Sequence, residues 1–169
     1  MTNHWIDYRN SDVLMNIGGN TAENHPISMK WIEEARRKRG AKLIVVDPRF
    51  TRTAAVADLH VPIRPGTNIA FLGGLIRYIL ENELYQEGYV KYYTNASYLL
   101  REDFAWDEET ALFSGAEEDR PDKPVKYDKS SWDYRRDGDG NVIKDPTLQH
   151  PDCVFQVMKR FYAMYTLET

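Results

Sequence analysis

Hydrophobic positions in this chain fall into two patterns: short apolar runs, and longer stretches in which apolar residues return every three or four positions. Residues 13–17 (VLMNI) and 43–46 (LIVV) are of the first kind, and each ends abruptly in turn-forming or polar residues. Runs of this length, rich in branched apolar side chains, predict strands buried in a parallel sheet. Between them Pro26 suits a first helical turn, where its missing N–H would have no partner, and the helix is predicted to continue through SMKWIEEARRKRG. Ile27, Trp31, Ile32 and Ala35 share one face at the helical period, while Glu33 with Arg37 and Glu34 with Lys38 pair on the other. Basic residues crowd the last turn, against the carbonyl end of the dipole, and Gly40 is placed to end it. Strand, helix and strand together predict a right-handed βαβ unit.

Further along, LHVPIR (59–64) predicts a third strand closed by the turn Pro65-Gly66. Thr67 or Asn68 can cap a helix running through IAFLGGLIRYILENE, and a short helix is expected over 86–93. From 101 to about 150 acidic and turn residues dominate, and KYDKSSWDYRRDGDGNVIKD predicts a hairpin with Asp137-Gly138-Asp139-Gly140 at its tip. The last stretch spaces Val154, Val157, Met158, Phe161 and Tyr162 helically. The expected fold class is α/β: an open Rossmann-like parallel sheet with flanking helices over 1–100. It is followed by an irregular, hairpin-containing insertion over 101–150, which is not a second core, and a helix over 151–169 that continues the domain.

Composition narrows the function classes. With 169 residues, 42% hydrophobic, four Trp and eleven Tyr, the chain can fill the core of one domain. Twenty-two Lys plus Arg against twenty-six Asp plus Glu give a net charge of −4 with no basic stripe, which argues against a nucleic-acid partner. The longest apolar stretch, IAFLGGLIRYIL, is broken by Arg77 and falls short of the roughly twenty residues that cross a bilayer, so no membrane span is expected. The start, MTNHWIDYRNSDV, lacks the basic-then-apolar layout of a secretory signal. Cys153 is the single cysteine, so neither a disulfide nor a zinc or iron–sulfur ligand set comes from this chain, and a bystander role is expected for it.

Chemistry concentrates where the strands end. Strand ends followed by helix starts put amide hydrogens and a positive dipole end along one edge of the sheet, where a phosphate is the natural guest. The first such end offers Gly18, Gly19, Asn20 and Glu23, the second Asp47, Pro48 and Arg49, and the third Gly66, Thr67 and Asn68. The Watson–Crick edge of guanine presents two parallel donors, N1–H and the N2 amino group, and the Asp47 carboxylate can accept both. Alternatively Asp47 contacts ribose hydroxyls, or merely opens a turn before Pro48. Gly19 and Asn20 read equally as a turn, and Arg49 as a phosphate ligand or a solvated cation. Neither a G-x-G-x-x-G fingerprint nor a P-loop follows the first strand. His4, His25, His60 and His150 lack metal-ligand spacing, and no Ser–His–Asp set can be assigned. A calcium loop starting at Asp137 would need Gly and Glu where Val142 and Leu148 stand. No catalytic residue and no metal ligand are therefore expected in this chain.

IGGNTAENHPI, followed by AKLIVVDPRFTRTAAVADLHVPIRPGTNIAF, resembles the molybdopterin-dependent oxidoreductases, in particular the large subunit of formate dehydrogenases. YDKSSW and TLQHP narrow the resemblance to the respiratory, membrane-associated members that use molybdenum or tungsten. The resemblance runs along nearly the whole chain. It implies that the segment grips one arm of a bis-molybdopterin guanine dinucleotide. Asn20 and Glu23 would contact the pterin dinucleotide, Asp47 would read guanine, and Gly19, Pro48, Arg49, Gly66 and Asn68 would lie along the same nucleotide.

The resemblance also implies what is missing. The (seleno)cysteine and histidine at the metal match upstream of Met1, the catalytic arginine matches beyond Thr169, and the iron–sulfur cluster of the parent has no ligands here. The chain is therefore expected to be an internal piece of a larger subunit, such as a reading frame opened after a selenocysteine codon read as a stop. Its implied partners are the remainder of that large subunit, an iron–sulfur electron-transfer subunit and formate as substrate, with the parent in the periplasm. Alone it is expected to be inactive. A free-standing nucleotide-binding or adaptor module, or a truncated product without function, are the alternatives.

Overall fold

The structure, a computed structural model, describes residues 3–117 and 125–166. It divides into two compact units, Met1–Ile69 and Ala70–Thr169. The acidic part of the expected insertion at 118–124 and the last three residues lie outside the described residues. The fold is α/β, as expected: a parallel three-stranded sheet with helices, and a small antiparallel hairpin.

In the first unit a 3-10 helix (Trp5–Asn10) leads into β1 (Val13–Ile17), which pairs in parallel with β2 (Lys42–Val46), and β2 pairs in parallel with β3 (Leu59–Val61). The register sets Ile17 opposite Val46 and Val46 opposite Val61, so the three strands finish level. Two further amides extend the ladder, from Gly18 to the Val46 carbonyl at 2.9 Å and from Asp47 to the Val61 carbonyl at 3.2 Å. The third strand is half the expected length because Pro62 has no N–H to donate to a ladder.

A short helix α1 (Thr21–Asn24) replaces part of the expected loop, and α2 (Pro26–Arg39) follows with Pro at its start and Gly40 at its end. Gly40 takes the left-handed conformation, and its amide returns to the carbonyls of Ala35 and Arg36, the helix ending its sequence announces. The buried face of α2 differs from the expected one. Ser28, Ile32 and Ala35 are buried, whereas Ile27 is 69% exposed. The Ser28 hydroxyl donates to the His25 carbonyl at 2.7 Å, so its polar atom is satisfied inside the first turn and the residue can face inward. The expected Glu33–Arg37 pair is replaced by Glu33–Arg36 at 2.7 Å, because Arg36 also lies 3.4 Å from Asp58; Glu34–Lys38 forms at 2.7 Å.

The core of this unit is Ile32, Leu43, Val45 and Ala54, with Tyr8, Leu14, Met29 and Ala57 packed around it. Full burial of each large side chain here contributes about 1.5–3 kcal/mol. Val13, Met15, Ile17 and Leu59 are exposed, so β1 is not the buried strand that its apolar run predicts: it borders the sheet, with a neighbour on one side only among the described residues. Between β2 and β3 the chain makes a 3-10 turn (Ala54–Val56) and is pinned at Asp58, whose amide donates to the Leu43 carbonyl and whose carboxylate accepts from the Leu43 amide, both at 2.8 Å. That amide bond, helped by Arg36 and Lys42, holds the Asp58 carboxyl below its usual range.

The second unit carries α3 (Asn68–Glu81) from Ala70 onward, α4 (Glu87–Tyr93), a hairpin of β4 (Trp106–Asp107) with β5 (Leu112–Phe113), and α5 (Val154–Tyr162). Its core joins Leu80, Ala96, Leu99, Leu148, Cys153 and Phe155. Leu148 comes from the stretch expected as an insertion, so that stretch helps to build this core. Burial pushes the Cys153 thiol pKa up. The Asp-Gly-Asp-Gly tip forms, with the Asp137 amide on the Asn141 carbonyl at 2.9 Å, but beyond it the expected hairpin is a single bridge, Arg136 to Val142. The flanking residues pair elsewhere, Tyr134 with Leu100 and Lys144 with Tyr98. Nearby, Asp145 closes its loop by accepting from the amides of Thr147, Gln149 and His150 at 2.9, 2.8 and 2.7 Å and from the Thr147 hydroxyl at 2.5 Å.

Candidate functional site

Because the three parallel strands finish level, the segments Gly18–Asn20, Asp47–Arg49 and Pro62–Asn68 all leave the sheet from the same edge. Such an edge is where open α/β sheets take ligands. The sequence-predicted residues are thus brought to one side of the first unit, on three neighbouring strand ends. Their states differ.

At the end of β1, Gly19 lies close against Asn16: a Cβ there would lie 2.7 Å from the Asn16 Oδ1 atom, which would have to shift. Asn16 donates through Nδ2 to the Gly19 carbonyl at 3.0 Å and to the Thr21 hydroxyl at 2.9 Å, fixing the turn. Asn20 donates through Nδ2 to Glu23, and its Oδ1 accepts from the Thr53 hydroxyl at 3.0 Å. Glu23 in turn meets Arg52 at 3.0 Å. The Thr53 hydroxyl also accepts from the Ala22 amide at 2.9 Å, and Thr53 is fully buried. Both polar atoms of Asn20 are therefore engaged within the protein, and the first strand end is stitched to the loop after β2. With four residues, α1 is too short for its dipole to act as an anion site, so the expected helix-start contribution is lacking after β1. After β2 the chain likewise enters a 3-10 turn and not an α-helix.

At the end of β2, Asp47 is buried, 4% exposed. Its Oδ1 accepts from the Arg49 amide at 2.8 Å, the turn that Asp-Pro predicts. Its Oδ2 has no hydrogen-bond or ion-pair partner among the described residues. The Arg49 guanidinium is exposed and likewise without a protein partner among the described residues. Pro48 and Phe50 are exposed beside them. Behind this turn, His60 Nε2 donates to the Asp47 carbonyl at 2.9 Å.

At the end of β3, Gly66 is exposed in a turn held by the Thr67 amide and hydroxyl, both donating to the Arg64 carbonyl, at 3.2 and 2.7 Å. Asn68 opens α3 and is exposed. Chemically the edge offers a half-free carboxylate, a free guanidinium and exposed turn backbone, a set suited to a base edge and a phosphate. Among the described residues no group of three His, Cys, Asp or Glu side chains converges as a metal site, and no helix is long and apolar enough to cross a membrane. Sequence reading missed Thr53, Arg52, Asn16 and His60. The TRTA stretch after Asp47 held the first two, but nothing in its spacing indicates a partner across 33 residues.

Comparison with known proteins places this edge in context. The chain is 54% identical over 168 residues to the formate dehydrogenase subunit alpha of Megalodesulfovibrio gigas, covering 99% of this chain and 16% of that protein. It is 51% identical over 166 residues to the nitrate-inducible formate dehydrogenase major subunit of Escherichia coli, covering 98% of this chain and again 16% of the relative. It is 38% identical over 95 residues to the assimilatory nitrate reductase catalytic subunit of Bacillus subtilis, covering 56% of this chain and 13% of that protein. The chain thus spans about a sixth of the length of these formate dehydrogenase subunits. The family model for molybdopterin oxidoreductases matches residues 1–126, taking in every strand end described above, and the chain belongs to that family.

Proposed function

We propose that this chain is the part of a formate dehydrogenase catalytic subunit that holds the guanine dinucleotide arm of a bis-molybdopterin guanine dinucleotide. Similarity along 98% or more of its length to two proteins named as formate dehydrogenase subunits carries this reading. The residues present fit the nucleotide. The open Oδ2 of Asp47, with the remaining lone pair of Oδ1, accepts the paired N–H donors of guanine. Arg49 reaches the phosphates with an unpaired guanidinium, while Gly66 and Asn68 present exposed backbone and carboxamide at the neighbouring strand end. Asn20 and Glu23 support the pterin side through the Thr53 stitch.

When bound, the pterin with its molybdenum or tungsten ion supplies the two-electron chemistry that turns formate into carbon dioxide. This chain binds and orients; proton transfer and formate placement belong to the remainder of the large subunit, and the isolated 169-residue chain is inactive. An iron–sulfur cluster and an iron–sulfur subunit of the parent would carry the electrons away, and this chain, with Cys153 as its single cysteine, would contribute no ligand set to them. The parent works in the periplasm.

Calorimetric titration of the 169-residue chain with guanosine and adenosine 5′-monophosphates tests the binding role. Tighter binding of the guanine nucleotide is expected, and equal affinities would remove the guanine reading. Formate oxidation by the isolated chain with a dye acceptor would remove the assignment of catalysis to the rest of the subunit.

A further inference from the structure

We propose that Phe50 is the aromatic shelf on which the nucleotide base lies while Asp47 reads the edge of that base. This rests on the nucleotide reading above. Phe50 stands three residues beyond Asp47, at the far side of the same turn, and is 72% exposed. Exposure of one phenylalanine is ordinary, but this one is oriented. Its ring meets His60 edge-to-face, with centroids 5.3 Å apart and planes at 78°. His60 is itself held by its Nε2–H bond to the Asp47 carbonyl at 2.9 Å. Phe50, His60 and Asp47 thus form a short chain of contacts that ties the ring to the backbone of the residue carrying the half-free carboxylate.

The two side chains would act on different parts of one ligand. A phenyl ring contributes through the π-face that every base has, so it raises affinity without choosing among bases. A carboxylate accepting two parallel N–H donors chooses guanine and does little for a base that lacks them. Arg49, between them in sequence and without a protein partner among the described residues, completes the set for a purine nucleotide with at least one phosphate.

Titrations of the 169-residue chain with guanosine 5′-monophosphate, adenosine 5′-monophosphate and ribose 5-phosphate separate these contributions. Phe50→Ala and Phe50→Leu should each weaken both nucleotides by about tenfold while leaving ribose 5-phosphate unchanged. Phe50→Trp should keep or tighten both. Phe50→Leu retains an apolar contact for His60, and circular dichroism of each variant guards against a folding defect being read as lost stacking. If the wild type prefers the guanine nucleotide through Asp47 but Phe50→Leu binds both nucleotides as the wild type does, the shelf is overturned and the guanine reading stands. If the wild type binds neither nucleotide better than ribose 5-phosphate, the base reading falls and the shelf with it.

Discussion

Each unit contains one Asp-Pro dipeptide, and the two carboxylates are in opposite states. Asp145, before Pro146, is saturated: three amides and one hydroxyl donate to it, and its pKa is held down to about 2, chiefly by the Thr147 hydroxyl and then by the amides of His150, Thr147 and Gln149. Asp47, before Pro48, accepts one amide, from Arg49, and keeps an open oxygen although it is the more buried of the two. Both begin as the same turn, with the amide two residues on donating to the carboxylate. Only the chain that follows decides whether the remaining lone pairs are filled. A loop that folds back, as at 145–150, consumes its carboxylate; one that departs, as at 47–50, leaves an oxygen unfilled.

The largest effect that would sharpen this contrast is on binding. Asp47→Asn keeps an oxygen for the Arg49 amide but turns the second acceptor of the proposed guanine contact into a donor. Guanosine 5′-monophosphate affinity should fall about 100-fold, or ~2.7 kcal/mol, with little change in urea midpoint. A loss of stability without a loss of guanine preference would break the comparison. Next is Thr53→Val, which removes the hydroxyl that receives the Ala22 amide and bonds Asn20. It should cost about 2 kcal/mol in urea unfolding while the preference for guanine over adenine survives.

The smallest effect belongs to Asp145. Its pKa lies below the ordinary 3.8, so its stabilisation is fully present above about pH 4 and is lost as the pH falls towards about 2. Asp145→Asn should lower the midpoint at neutral pH and flatten the acid limb of a stability–pH profile.

Much of the first unit was legible because its signals are local. A short, mostly apolar run marks β1, a continuous branched run marks β2, and Pro26 and Gly40 mark both ends of α2 within one helix length. Hydrophobicity alone puts Ile27 on the inner face of α2, but Ser28 takes that place because its hydroxyl is satisfied by the His25 carbonyl. At the site, the turn at Asp47 could be read from Asp-Pro, but its open oxygen could not. Nor could the Thr53 stitch, which joins segments separated by 33 residues. In the second unit, two-residue strands and single bridges between segments such as 98–100, 134–136 and 142–144 leave no periodicity to read.

β1 has a consequence for handling the protein. It is the outer strand of its sheet among the described residues, and its five positions, VLMNI, contain no charge and no proline, while Val13, Met15 and Ile17 stand exposed. An uncharged border with free amides and carbonyls is a template for recruiting another strand. Concentrated solutions of the chain should therefore self-associate through β1, and Met15→Lys, a gatekeeper at the middle of that border, should keep it dispersed.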